Sequence, residues 1–139
     1  MDIYNRKNEL DLKDNFGKTV LMQASSEGRS VKYLISKGAD LNLQDNFGQS
    51  ALIRAASNGH ERVAKSLIKA GANLNLQDIR GFTALARASL NGRKNIVKLL
   101  VTAGANLNLK NIYGFTPLSV AYIQKFRDVI KIIEEQQNK

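Results

Sequence analysis

The sequence predicts an all-α fold of stacked helical repeats, from a fixed glycine spacing and from two closely similar segments. Two sets of glycines recur at intervals of 33 residues: Gly38, Gly71 and Gly104, and Gly48, Gly81 and Gly114. Residues 45–77 read DNFGQSALIRAASNGHERVAKSLIKAGANLNLQ, and residues 78–110 read DIRGFTALARASLNGRKNIVKLLVTAGANLNLK. Self-similarity at a fixed interval of this length is typical of an array in which each unit buries the apolar face of its neighbour.

Local signals within each repeat predict two helices. Hydroxyl residues that can cap a helix N-terminus precede the first helix: Thr19, Ser50, Thr83 and Thr116. Pro117 follows such a cap, at a position where its missing N–H costs nothing. Glycines at which left-handed backbone can end that helix follow: Gly28, Gly59 and Gly92. The second helix of residues 45–77 carries Val63, Leu67 and Ile68 on one apolar stripe.

With these motifs the sequence resembles the ankyrin-repeat family, and the resemblance covers almost the whole chain. It implies an all-α, ankyrin-repeat solenoid of antiparallel helix pairs linked by β-hairpin-like loops. The segments between the helix pairs are rich in Asn and Asp, which suits such loops because these side chains bond their own backbone in turns.

We expect a single domain over residues 1–139, divided into five units. They are an N-terminal partial repeat or cap (1–13), a short repeat (14–44), two full repeats (45–77 and 78–110) and a C-terminal capping repeat (111–139). Ile3 and Tyr4 are candidates to cover the first repeat. In the last unit Lys125 replaces the inter-helix glycine and the end of the chain is polar, so we expect the domain to end there.

The short repeat lacks two residues after Gly28. The deletion falls where its second helix should begin, so we predict a shortened helix start near Arg29 and Ser30. Val31, Leu34 and Ile35 should still face inward at helical spacing.

Residue types argue against an enzyme and against a metal or cofactor site. There is no cysteine and His60 is the only histidine, so a zinc site lacks its ligands. His60 follows the inter-helix glycine, where a structural hydrogen bond is the expected role. Asp14, Asp45 and Asp78 recur with the repeats, which indicates turn-building rather than acid–base catalysis. We therefore expect no catalytic residues, no cofactor and no metal.

The same composition bears on location. No apolar run approaches the length of a membrane span, and the first residues lack the apolar stretch of a signal peptide. We expect a monomeric, intracellular and cytoplasmic protein, or a domain of a longer one.

The resemblance implies a non-catalytic protein–protein interaction module whose partner docks on a concave surface of hairpin tips and inner helices. The candidate partner-binding residues flank the turn glycines or lie at the rim of the first helix: Phe47, Ile79, Arg80, Phe82, Leu90, Ile112, Tyr113 and Phe115. Large apolar groups and arginine at such positions are typical of binding hot spots. Alternatively, these side chains fold over the hairpins and pack against one another. Arg54 and Arg87 either form a basic rung of the surface or extend past the core.

Two other functions stay open. The formal charge is +9, and the basic residues of the second helices fall opposite the apolar stripe: Arg62, Lys65, Lys69, Arg93, Lys94, Lys98, Arg127 and Lys131. This convex face could bind nucleic acid, another anionic polymer or a membrane surface by charge. No aromatic residues interleave with the lysines as they do in many nucleic-acid sites. The chain could also be a structural segment of a larger protein.

Overall fold

A computed structural model describes residues 9–139 of the chain. Residues 1–8 lie outside the described part, and so do Ile3 and Tyr4, for which a covering role is predicted.

Eight helices lie wholly within the described residues and form four pairs. Their bounds are α1 Val20–Glu27, α2 Lys32–Ser36, α3 Ala51–Asn58, α4 Glu61–Lys69, α5 Ala84–Leu90, α6 Lys94–Thr102, α7 Pro117–Gln124 and α8 Arg127–Gln137. No β-strand occurs between residues 9 and 139. The all-α fold predicted from the sequence is therefore confirmed.

The helices are arranged in two layers. The first helices of the pairs, α1, α3, α5 and α7, pack in one row, and the second helices α4, α6 and α8 pack in another. One apolar core runs between the layers from Leu21 to Ile133. Because each helix pair borders the next, the core is shared between neighbouring repeats. The boundaries of the five units remain sequence predictions.

The predicted helix ends are present. The hydroxyl oxygens of Thr19, Ser50, Thr83 and Thr116 each accept a hydrogen bond from the backbone N–H three residues later. In the last repeat Lys125 takes the left-handed conformation with φ 62° that glycine adopts in the earlier repeats. A lysine tolerates this backbone less well than glycine does, so the end of α7 is a locally strained point.

The recurring acidic residues build the hairpin loops, as the sequence predicted. The Asp45 Oδ1 atom accepts hydrogen bonds from the backbone N–H groups of Phe47 at 2.8 Å and Gln49 at 2.9 Å. Asp14, Asp78 and Asn111 repeat this arrangement. One side chain thus fixes each turn.

Polar side chains also join the loops of neighbouring repeats. The Asn42 Oδ1 atom accepts from the backbone N–H of Asn73, and Asn75 does the same for Asn106, both at 2.8 Å. The side-chain amide of Gln44 donates to the backbone oxygens of Gly48 and Gln77. The Asn and Gln side chains of the loops therefore stabilise the turns and also fix the position of each repeat relative to the next.

The second helix of the short repeat is clipped, as the two-residue deletion predicted. Helix α2 has five residues, whereas α4 and α6 have nine each. Val31 is buried and Leu34 and Ile35 are half-buried, so these side chains still face the core.

Gly48 lies where its hairpin closely approaches the backbone of the next hairpin. A Cβ atom at Gly48 would lie 2.8 Å from the backbone nitrogen of Ile79 in the next hairpin, whereas a Cβ at Gly71 meets nothing within 4 Å. Both glycines have positive φ, so alanine costs about 1–2 kcal/mol at either position. We expect Gly48→Ala to be less stable than Gly71→Ala by a further ~1–3 kcal/mol, because backbone must shift. Urea unfolding of the two variants measures this difference, and equal midpoints would show that the hairpins separate freely.

Candidate functional site

The tips of the hairpins form a continuous row. The backbone oxygen of Phe16 accepts a hydrogen bond from the N–H of Asn46 at 2.9 Å. The next two junctions repeat this bond, from Ile79 to Phe47 at 3.0 Å and from Ile112 to Arg80 at 2.9 Å. Neighbouring tips are therefore held at a fixed separation, and their side chains form one surface.

Most of the predicted binding residues are exposed on this row. Ile79 is 62% exposed and Ile112 is 64% exposed, and Phe47 and Tyr113 are more than half exposed. We call the following exposed side chains the tip surface: Phe47, Ile79, Arg80, Ile112, Tyr113 and Phe115. Phe115 is the least exposed of its apolar members, at 39%.

The expectation that Phe82 is available to a partner is wrong. Its side chain is only 7% exposed and packs in a small apolar cluster with Ala86 and Val120. The guanidinium of Arg87 lies 4.1 Å from the centre of the Phe82 ring. Phe82 is covered because Val120, in the next repeat, stands where the two preceding repeats have arginine. That apolar substitution is the signal in the sequence that could have revealed the burial.

Leu90 also belongs to this cluster. It is half-buried against Phe82, Ala86 and Val120, and so it offers a partner only part of its side chain. Of the two alternatives given by the sequence, partner binding or packing within the protein, Phe82 and Leu90 follow the second.

Phe16 was missing from the candidate residues. Its side chain is 59% exposed, and it occupies the same position before the turn glycine as Phe47 and Tyr113. The apolar character of the tips therefore extends to the first hairpin of the row.

Arg54 and Arg87 do not form a basic rung on the surface. Arg87 donates from Nε and Nη2 to the Asp78 Oδ2 atom at 2.9 and 2.6 Å. Arg54 pairs with Asp45 through Nη2 alone, and its Nη1 donates to the hydroxyl of Ser26 in the preceding repeat at 3.0 Å. Both aspartate side chains are almost fully buried. Each arginine thus neutralises the carboxylate that builds its hairpin.

The last repeat lacks both members of this pair. Asn111 replaces the aspartate and Val120 replaces the arginine. The Asn111 Oδ1 atom keeps the two backbone hydrogen bonds of the turn, and its buried Nδ2 atom has no partner among the described residues. Loss of the negative charge together with the positive one leaves no unpaired buried ion.

His60 has the structural role that the sequence predicted. Its Nε2 atom lies 2.9 Å from the backbone oxygen of Ser26, near the end of α1. The ring also covers Gly28, where a Cβ atom would lie 2.5 Å from Nδ1. Arg93 and Phe126 cover Gly59 and Gly92 in the same way.

Two surface groups, Asp14 and Tyr122, have pKa values shifted from their ordinary ones. The backbone N–H of Lys18 bonds the Asp14 carboxylate and lowers the pKa of that group. The stability that Asp14 contributes is therefore present above its ordinary pKa and is lost as the pH falls through the lowered value. The phenol of Tyr122 donates to Glu134 at 2.7 Å, which raises the pKa of Tyr122.

Residues 9–139 contain neither a cluster of metal-ligating side chains nor a helix that could span a membrane. There the structure holds no group of three or more His, Asp or Glu side chains arranged to bind a metal ion. In that same part of the chain, none of the helices combines the length and the apolar character that crossing a bilayer requires.

A comparison with protein families agrees with this geometry. The model for ankyrin repeats in three copies matches residues 3–78 and again residues 70–139. The chain belongs to the ankyrin-repeat family. Ankyrin repeats are in general protein–protein interaction modules, and the family is typically non-catalytic. No curated protein matches this ankyrin-repeat chain in sequence.

Proposed function

We propose that this ankyrin-repeat protein binds a protein partner through the tip surface. The observation that carries the proposal is the row of exposed apolar side chains on tips that are bonded to one another through the backbone. Grouped apolar exposure commonly marks an interaction site. Aromatic residues and arginine, here Phe47, Tyr113, Phe115 and Arg80, are the residue types that contribute most to binding.

The neighbourhood of the tip surface supports this proposal. Phe82 is buried in its own apolar cluster and is not a contact residue, whereas half-buried Leu90 offers a partner only the exposed part of its side chain. The buried ion pairs of Asp45 and Asp78 fix the hairpins. A partner would therefore meet a preorganised surface, which lowers the entropic cost of binding.

Capture of the partner should depend on Ile79 and Tyr113. We expect Ile79→Ser/Tyr113→Ser to weaken capture about tenfold or more, because two exposed apolar anchors are lost. The free energy of unfolding should change by no more than about 0.5 kcal/mol per substitution, since both side chains are exposed. Pull-downs from the native cell with each variant, quantified protein by protein, measure the effect.

The matched control removes the same kinds of side chain elsewhere. Leu12 is 68% exposed and Tyr33 is 67% exposed, and both lie outside the tip surface. Leu12→Ser/Tyr33→Ser should retain the partners that the tip variant loses. Equal capture by wild type and both variants would show that the tip surface is not the binding site.

Phe82 is unsuitable for this experiment. Because it is buried, truncating it would lower stability as well as any binding. A monomeric state and a cytoplasmic location complete the proposal, and the lack of cysteine is compatible with a reducing compartment.

A further inference from the structure

A groove of about 510 Å³ lies between the clipped helix α2 and the neighbouring helix α4. Val31 and Val63 form its floor, and both are almost fully buried in the core. Four basic side chains line it: Lys32, Arg62, Lys65 and Lys69. This volume lies within the range of protein sites that hold ligands.

The groove is a consequence of the two-residue deletion in the short repeat. Because α2 begins at Lys32, no helical turn covers the first half of α4. One repeat later, a depression at the starts of α4 and α6 has a volume of about 270 Å³. The groove beside the clipped helix α2 has about twice this volume.

The electrostatics of the groove are one-sided. All four ionisable side chains that line it are cations. None of the four forms an ion pair within residues 9–139, where arginine or lysine pairs occur at Arg29, Arg54, Arg87 and Lys94. The smaller depression, by contrast, includes the acidic Glu61. Four like charges around an apolar floor repel one another, and a negatively charged occupant relieves this repulsion.

We propose that this groove binds an acidic, extended peptide segment of a protein. The lining contains no aromatic side chain on which a nucleic-acid base could stack. A recess between two helices suits a narrow chain better than a flat bilayer surface. Carboxylates spaced along a peptide would pair with the three lysines and with Arg62. The site uses the second helices and is separate from the tip surface.

The repeats themselves supply a matched pair of variants. Lys32, Lys65, Lys98 and Lys131 occupy the same position of four successive second helices, and all four are exposed. Only the first two line the groove. Lys32→Glu/Lys65→Glu and Lys98→Glu/Lys131→Glu therefore make the same change in net charge at equivalent positions.

Fluorescence anisotropy with a labelled octaglutamate peptide tests the proposal. We expect Lys32→Glu/Lys65→Glu to bind about tenfold more weakly than wild type, and Lys98→Glu/Lys131→Glu to differ by no more than about twofold, because the contacts are short-range in salt. Equal weakening of both variants would overturn the proposal, since binding would then follow net charge alone. Failure of wild type to bind the peptide at low salt would also overturn it.

A second variant fills the groove without changing any charge. Inserting two alanines between Arg29 and Ser30 restores the repeat length, so α2 should gain the missing turn. We expect this insertion to weaken octaglutamate binding about tenfold as well, while circular dichroism shows unchanged or higher helix content. Undiminished binding by the folded insertion variant would exclude the groove.

Two further probes separate peptide binding from other anionic ligands. A single-stranded RNA octamer and vesicles containing phosphatidylserine should bind more weakly than octaglutamate under the same conditions. Tighter binding of either one would contradict the peptide assignment. The tip variant Ile79→Ser/Tyr113→Ser should bind octaglutamate as wild type does, so failure at one surface is distinguishable from failure at the other.

Discussion

Replacing Asp78 by alanine is expected to lower the free energy of unfolding by about 3–5 kcal/mol. The buried carboxylate accepts four hydrogen bonds, two from backbone N–H groups of its own hairpin and two from Arg87. Without it the turn loses its internal acceptor and the guanidinium loses its counter-ion in a poorly hydrated position. Urea denaturation followed by circular dichroism measures the change.

The last repeat suggests how to separate these two contributions. Asp78→Asn keeps an acceptor for the turn but leaves Arg87 unpaired, whereas Asp78→Asn/Arg87→Val copies the combination found naturally as Asn111 and Val120. We expect the double variant to be more stable than Asp78→Asn alone, with a coupling energy of about 0.5–3 kcal/mol. Additive losses would mean that the ion pair contributes nothing specific to this site.

The second large effect is expected at Leu85. Its side chain is fully buried in α5, at the centre of the shared core, so Leu85→Ala should cost about 2–5 kcal/mol through lost burial and a residual cavity. The total stability of a domain is about 5–15 kcal/mol, so this loss is a large fraction of it. Because α5 packs against both α3 and α7, the loss affects two inter-repeat interfaces.

Leu12→Ala provides the comparison for Leu85→Ala. Leu12 is 68% exposed, so the same chemical change should alter the free energy of unfolding by no more than about 0.5 kcal/mol. An unchanged urea midpoint for Leu85→Ala would show that Leu85 does not stabilise the stack.

Much of the candidate site could be predicted from position alone. Ile79, Ile112 and Tyr113 flank turn glycines, and a side chain at the tip of a hairpin usually points away from the core. Phe82 also flanks a turn glycine, yet it is buried, because its exposure depends on the size and polarity of Val120. The sequence placed Phe82 and Phe115 at equivalent positions and could not distinguish them.

The ion pairs Arg54–Asp45 and Arg87–Asp78 could not be predicted from the sequence either. The recurrence of Arg54 and Arg87 was evident, but their partners Asp45 and Asp78 lie nine residues away along the chain. Helical and turn periodicities describe local geometry, and neither relates a hairpin residue to a side chain on the following helix. Only the tertiary structure could therefore show that Arg54 and Arg87 form buried ion pairs and do not line the surface.

The amino-acid sequence by itself determined the repeat, the helix pairs, their caps and the clipped helix α2. These features follow from backbone preferences and from apolar spacing within about thirty residues, which each repeat carries in full. Only the tertiary structure decided which tip residues are accessible, which charges are paired and that the deletion opens a basic groove. Accessibility, pairing and cavity volume are properties of the contact between one repeat and the next, so they depend on side chains that no single repeat contains.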